Sequence, residues 1–113
     1  PNKGGRIFEI LNEVKKQVAV VPNFKDSRFP NNFTHIFSGG YAAGYYSYLW
    51  TEVLAVNVAD YFAKHGALDP AVGQAFRDKV LSRGNTKDQM EMFTDFTGMK
   101  EPDASGFLKA RGL

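Results

Sequence analysis

The sequence predicts an all-α chain, and three observations predict it. Apolar residues recur at helical spacing near the N-terminus, as Ile7, Leu11, Val14 and Val18. A long central stretch, Tyr41 to Lys64, holds no proline and closes with Lys64-His65-Gly66. Helix start signals recur at Asp69-Pro70 and at Thr86 to Gln89. No segment reads as a convincing strand and no internal repeat is present.

The first helix is expected over Arg6 to Gln17, with Glu9, Asn12, Glu13 and Lys16 mostly on its polar side. Pro22 disfavours helix at the residue before it, so this helix should end ahead of Val21. Pro22 to Thr34 reads as a loop, with two prolines, three asparagines and no clean period. Loops of about a dozen residues are long for a compact domain and are often functional.

His35 to Gly40 then leads into the central stretch. Leu49, Trp50, Val53, Leu54, Val56, Val58, Tyr61 and Phe62 lie almost all round a helix drawn there. Such a helix is expected to be buried on every side. The helix from Asp69-Pro70 should carry Val72, Phe76, Val80 and Leu81 inward and end at Arg83-Gly84-Asn85. Thr86 and Gln89 fit a capping box for the next, with Met90, Phe93 and Phe96 on one face. Asp103 can cap a last short helix to Arg111, closed by Gly112.

The chain has 113 residues, which fits a single domain over 1–113. Apolar residues make up 43% of it, enough to fold. Aromatics at 14% suggest a dense core, a binding surface or an exposed interface. Net charge is +2, and the basic residues are scattered among acidic ones, as in Glu13-Val14-Lys15-Lys16. That pattern argues against a nucleic-acid partner. No apolar run reaches the length of a membrane span, so no membrane partner is expected. Cysteine is absent, which removes disulfides and thiolate metal sites. The absence fits a cytoplasmic location and equally allows the periplasm. The start, Pro1-Asn2-Lys3-Gly4-Gly5-Arg6, carries no signal-peptide pattern and reads like the middle of a longer protein.

The segment most able to carry chemistry is HIFSGGYAAGYYSYLWTEVLA, His35 to Ala55. With a helix starting near Tyr41, Tyr41, Tyr45, Tyr48 and Glu52 fall within a stripe about 60° wide. His35 lies just upstream, across the Gly39-Gly40 hinge. A phenol is a neutral hydrogen-bond donor, so converging phenols and an imidazole suit an oxyanion. The same spacing fits a core stripe whose tyrosines hydrogen-bond backbone carbonyls. On spacing alone the core reading is the stronger of the two, and a structural role for His35 is stronger than a catalytic one. Gly39, Gly40 and Gly44 do not form a phosphate loop, because the GxxxxGK[ST] pattern is missing. There are two histidines, His35 and His65, and no HExxH, so the chain offers no metal site of its own.

At this stretch the sequence resembles the thimet oligopeptidase family of zinc metallopeptidases. FTHIFSGGYAAGYYSYLWTEVLA is similar to the family's glycine- and tyrosine-rich segment. VGQAFRDKVLSRGN (72–85) and LKARGL (108–113) are similar to its C-terminal end, and ILNEVKKQVAVVP resembles it more loosely. GGYAAGYYSY is nearest the bacterial oligopeptidase A and peptidyl-dipeptidase branches. YLWTEVLA and LSRGN lean toward the peptidyl-dipeptidases.

The resemblance implies a helical C-terminal segment of a zincin-type catalytic domain. It implies an intact parent enzyme that hydrolyses short oligopeptides, and a segment that is inactive alone. The family's zinc is held by an HExxH helix and a later glutamate, so the ligands would lie in the missing upstream catalytic region. The family's substrate-contacting histidine falls on His35 and its tyrosines on Tyr41, Tyr45 and Tyr48. Tyr48, Tyr45 and His35 are thereby implied as catalytic groups. Tyr41, Gly39 and Gly40 are implied in shaping the substrate channel. The resemblance also implies an exposed apolar surface where upstream helices pack, through which the segment can self-associate. Two departures stand out. An aspartate is expected where this chain has Asn57, and Phe96 to Pro102 replaces an arginine-bearing version. The competing reading is a stand-alone, non-enzymatic helical module that uses the tyrosine face to bind a peptide or protein.

Overall fold

The structure is a computed structural model that describes residues 5–22 and 24–113. Pro1 to Gly4 and Asn23, which fall in the N-terminal reading and the predicted loop, lie outside the described residues. The described residues form helices and turns and no strand. In chain order the α-helices are α1 (Ile7–Val18), α2 (Phe29–Asn32), α3 (Thr34–Ser38), α4 (Ser47–His65), α5 (Pro70–Lys79), α6 (Gln89–Thr97) and α7 (Ser105–Ala110). A single 3₁₀ turn, Leu81–Arg83, follows α5. The chain divides into two compact units, Pro1–Tyr45 and Tyr46–Leu113.

In the first unit, α1 forms where the apolar spacing places it and stops before Val21 as expected. Arg6 straps its start, donating to both carboxylate oxygens of Glu9 at 2.8 and 2.7 Å. Its apolar side is open, because Ile7, Val14 and Val18 are exposed and Leu11 is half-buried. The predicted loop is shorter than expected. Phe29–Asn32 is a turn of helix with a proline near its start, where the ring's fixed φ suits a helix and its missing N–H costs nothing. Phe29 and Phe33, four residues apart, bring their rings to 5.0 Å.

The central helix begins at Ser47 and not near Tyr41. Residues 42–46 are turns, held by bonds such as Gly44 N–H to the Tyr41 carbonyl at 3.1 Å. Gly44, inside the expected helix, disfavours it by about 1 kcal/mol relative to alanine. Gly40 turns the chain with φ +75°, a conformation that side chains disfavour.

In the second unit, α4 is also less buried than expected. Val53 and Asn57 are its buried residues, while Trp50 remains 64% exposed and Leu49 is exposed too. The reason is size. Within this unit α6 and α7 pack against α4, and a unit this small cannot cover the rest of it.

Asp69 caps α5 as predicted, accepting from the Ala71 N–H at 2.7 Å, with Pro70 at the first position. Val72, Phe76 and Val80 turn inward, but Leu81 sits in the 3₁₀ turn and is exposed. The cap of α6 is Asp88 and not Thr86. Asp88 Oδ1 accepts from the N–H groups of Met90 and Glu91 at 2.9 and 3.1 Å. The Thr86 hydroxyl instead donates back to the Arg83 carbonyl at 2.7 Å. Met92, Phe93 and Phe96 face inward, and Met90 is exposed.

Phe96 is 2% exposed and is the hub of the core. Its ring meets Tyr61 at 4.6 Å, Phe76 at 5.0 Å and Phe62 at 5.5 Å. Burial of a large aromatic of this kind stabilises by about 2–3 kcal/mol. Asn57 is 5% exposed and joins α4 to the start of α7. Its amide donates to the Val53 and Asp103 carbonyls at 2.8 and 2.7 Å, and its oxygen accepts from the Asp103 N–H at 2.9 Å. Asp103 also binds the N–H and hydroxyl of Ser105 at 2.9 and 2.6 Å, which sets the first turn of α7.

Candidate functional site

The first unit brings together three of the predicted site residues. His35 stands on α3, and Tyr41 and Tyr45 lie in the turns after Gly40. The imidazole meets Tyr41 edge-on at 5.0 Å and Tyr45 at 5.5 Å, and the two phenols are 6.2 Å apart. Phe33 completes the cluster, edge-on to Tyr45 at 4.8 Å. The edge-to-face arrangement sets positive ring edges against negative ring faces, which favours these ring orientations.

The cluster depends on the glycines. A Cβ at Gly39 would lie 2.6 and 2.7 Å from Tyr41 ring atoms and 3.2 Å from the His35 carbonyl. Glycine at 39 therefore lets the Tyr41 ring close over the backbone beside His35. Gly40 supplies the positive φ that turns the chain back. Both glycines act through space and backbone angle, and no helix on which the tyrosines form a stripe is involved. The expectation that Tyr41, Tyr45, Tyr48 and Glu52 share one helix face fails for Tyr41 and Tyr45, which precede α4.

Tyr48 belongs to the second unit, in the first turn of α4, and is 45% exposed. Glu52 follows one turn later on the same face. Arg111 Nη2 donates to Glu52 Oε2 at 2.6 Å. This hydrogen bond holds the Glu52 carboxyl below its ordinary range and the Arg111 guanidinium above its own. Arg111 also lies 3.9 Å above the Phe107 ring.

Sequence reasoning missed Phe33, Arg111 and the full pairing of Asn57. Phe33 carried a faint signal, four residues after Phe29. The Glu52–Arg111 and Asn57–Asp103 pairs span 59 and 46 residues, a distance at which a sequence pattern says nothing.

A zinc ion does not fit the residues present. Among the described residues no three His, Cys, Asp or Glu side chains gather as metal ligands. His65 Nδ1 sits 2.8 Å from the Tyr61 carbonyl, and its ring stacks on Tyr61 at 4.0 Å, so it serves as the helix-end residue expected. Among the described residues no helix is long and apolar enough to cross a membrane.

The whole chain, residues 1–113, matches a family described as Peptidase family M3. The chain belongs to peptidase family M3. Among relatives, it is 48% identical to Oligopeptidase A of Salmonella typhimurium over 113 residues, all of this chain and 16% of that protein. Against Oligopeptidase A of Escherichia coli the identity is 47% over the same span and share. Against the Dipeptidyl carboxypeptidase of Salmonella typhimurium it is 44% over 95 residues, which is 84% of this chain and 13% of that protein. The resemblance to the thimet oligopeptidase family is thereby borne out, and the all-α architecture is that of a segment of an M3 peptidase. The chain spans about one sixth of the length of these oligopeptidases, 16% in each case.

Proposed function

We propose that this chain is the C-terminal part of the catalytic domain of a zinc-dependent oligopeptidase. Residues 1–113 act as one piece of that domain. The piece contributes His35, Tyr45 and Tyr48 to substrate binding and oxyanion stabilisation, and Tyr41, Gly39 and Gly40 to the shape of the substrate channel. The zinc ligands are assigned to the missing upstream region, since no group described here fits the metal. The parent is read as a cytoplasmic hydrolase of short peptides. Self-association of the isolated piece follows from the same exposed apolar surface that upstream helices would cover, with Leu49 and Trp50 part of it.

The observation that carries this reading is the ring cluster of His35, Tyr41 and Tyr45 around Gly39, in a chain that matches the family along its whole length. Attack on a peptide carbonyl places negative charge on its oxygen. Phenols and an imidazole N–H can donate to that oxygen while staying neutral themselves. Loss of one such donor costs about 3 kcal/mol of transition-state stabilisation. Edge-to-face packing holds the rings in place before substrate arrives, so little ordering is left for the reaction itself.

The test is complementation. This chain is mixed with the upstream portion of Escherichia coli Oligopeptidase A and zinc, and cleavage of a quenched fluorescent oligopeptide is followed. Cleavage that needs both pieces supports the reading. Assembly of the two pieces without cleavage contradicts it, and peptide binding by this chain alone would favour the non-enzymatic module.

A further inference from the structure

The face of α4 that carries Tyr48 also carries an acid, and that is a problem for an oxyanion. Tyr48 and Glu52 are one turn apart and both nearly half exposed. Glu52 is the only acidic or basic side chain in α4 before Asp60, so it sets the charge of this end of the helix. A bare carboxylate there lies within a screening length of about 8–10 Å and would oppose negative charge building up beside Tyr48.

Resting on the reading of Tyr48 as an oxyanion donor, we propose that Arg111 is a positioning residue that neutralises Glu52, so that an anionic oxygen can form against the Tyr48 face. Four features hold Arg111 in place. Its guanidinium donates to Glu52 at 2.6 Å and lies over Phe107 at 3.9 Å. Helix α7, which carries Phe107, is seated closely on α4, because a Cβ at Gly106 would come within 2.9 Å of Val56 Cγ1. The bonds between Asn57 and Asp103 pin the entry to α7. An ion pair this exposed adds little to stability, so its loss is felt in rate rather than in folding. Arg111 acts on substrate only through Glu52 and touches no reacting atom.

The test uses a chimera in which this chain replaces the matching segment of Escherichia coli Oligopeptidase A, assayed on the fluorescent oligopeptide at low and high salt. Arg111→Gln should lower kcat by about three- to tenfold, the effect of one uncompensated charge one helical turn away in a partly aqueous setting, with KM little changed. The double variant Glu52→Gln/Arg111→Gln should recover most of that loss, and high salt should shrink it. Arg111→Lys should stay close to the parent.

A double variant as slow as Arg111→Gln would overturn the proposal, because the loss would then come from a contact and not from charge. So would an unaffected Arg111→Gln beside a slow Tyr48→Phe. If Tyr48→Phe is as fast as the parent, the oxyanion reading itself falls, and this proposal with it. In the 113-residue chain, NMR titration gives a second readout independent of activity. Arg111→Gln should raise the Glu52 carboxyl titration toward the ordinary range, and an unmoved titration would overturn the proposal.

Discussion

Replacing Asn57 by aspartate, the residue expected at this position, should destabilise this chain. The Asn57 amide donates at 2.7 Å to the Asp103 carbonyl and at 2.8 Å to the Val53 carbonyl. A carboxylate has no proton to donate, so it would set a charged oxygen against two carbonyl oxygens. Only the bond accepted from the Asp103 N–H would survive. The surroundings offer poor compensation. The small cavity beside Asn57 is lined by Asp60 and Asp103, with Lys64 as its one cation.

Each buried partner left unsatisfied costs about 1–3 kcal/mol, so Asn57→Ala should cost about 2 kcal/mol and Asn57→Asp about 3 kcal/mol at neutral pH. Burial and the facing carbonyls would raise the new carboxyl above its unfolded value of about 3.9. The folded state would then bind the extra proton between that value and the raised one. Stability of Asn57→Asp should therefore recover as pH falls through this window, relative to Asn57→Ala. Equilibrium urea unfolding of the three proteins at neutral and mildly acid pH reads this directly. An Asn57→Asp protein as stable as the parent at neutral pH would refute the reasoning.

Two further outcomes follow from the same structure. Gly39→Ala should push the Tyr41 ring off His35 and cost about 1–3 kcal/mol, whereas Gly44→Ala, with open space around its Cβ, should cost nothing. Retained ring contacts between Tyr41 and His35 by NMR in Gly39→Ala would contradict this. Acid should weaken the second unit slightly, because the carboxylates concerned are exposed and their pairs screened. Hydrogen bonds from Arg111, Lys87 and the Ser105 hydroxyl hold Glu52, Asp95 and Asp103 below the ordinary carboxylate range. Their contribution is present above about pH 4 and is lost as pH falls through the lowered values. Urea midpoints that stay flat from pH 6 to well below that range would refute it.

What was legible in the sequence was what is local. The Asp69-Pro70 start of α5 acts through atoms two residues apart, and the stop at His65-Gly66 through one turn. The start of α4 differs because apolar spacing continues back to Tyr41 while Gly44 disfavours helix between Tyr41 and Ser47. The candidate residues stood out by type, but the helical stripe offered for Tyr41 and Tyr45 was the wrong geometry. His35, Tyr41 and Tyr45 meet through turns shaped by Gly39 and Gly40. Thr86 and Asp88 are both good caps by type, and only the Thr86 hydroxyl's bond back to Arg83 separates them. The pairs that tie α7 to α4, Asn57 with Asp103 and Glu52 with Arg111, depend on packing that no local pattern encodes.

The central claim is that a phenol in this chain stabilises the charge formed during peptide hydrolysis. The most direct measurement is kcat and KM of Tyr48→Phe in the chimera, against the unsubstituted chimera, on one fluorescent oligopeptide. The phenylalanine keeps the ring and removes the donor. A fall in kcat of roughly 100-fold with KM little changed is the predicted result, since the bond is made chiefly in the transition state. A Tyr48→Phe enzyme with unchanged kcat would contradict the account.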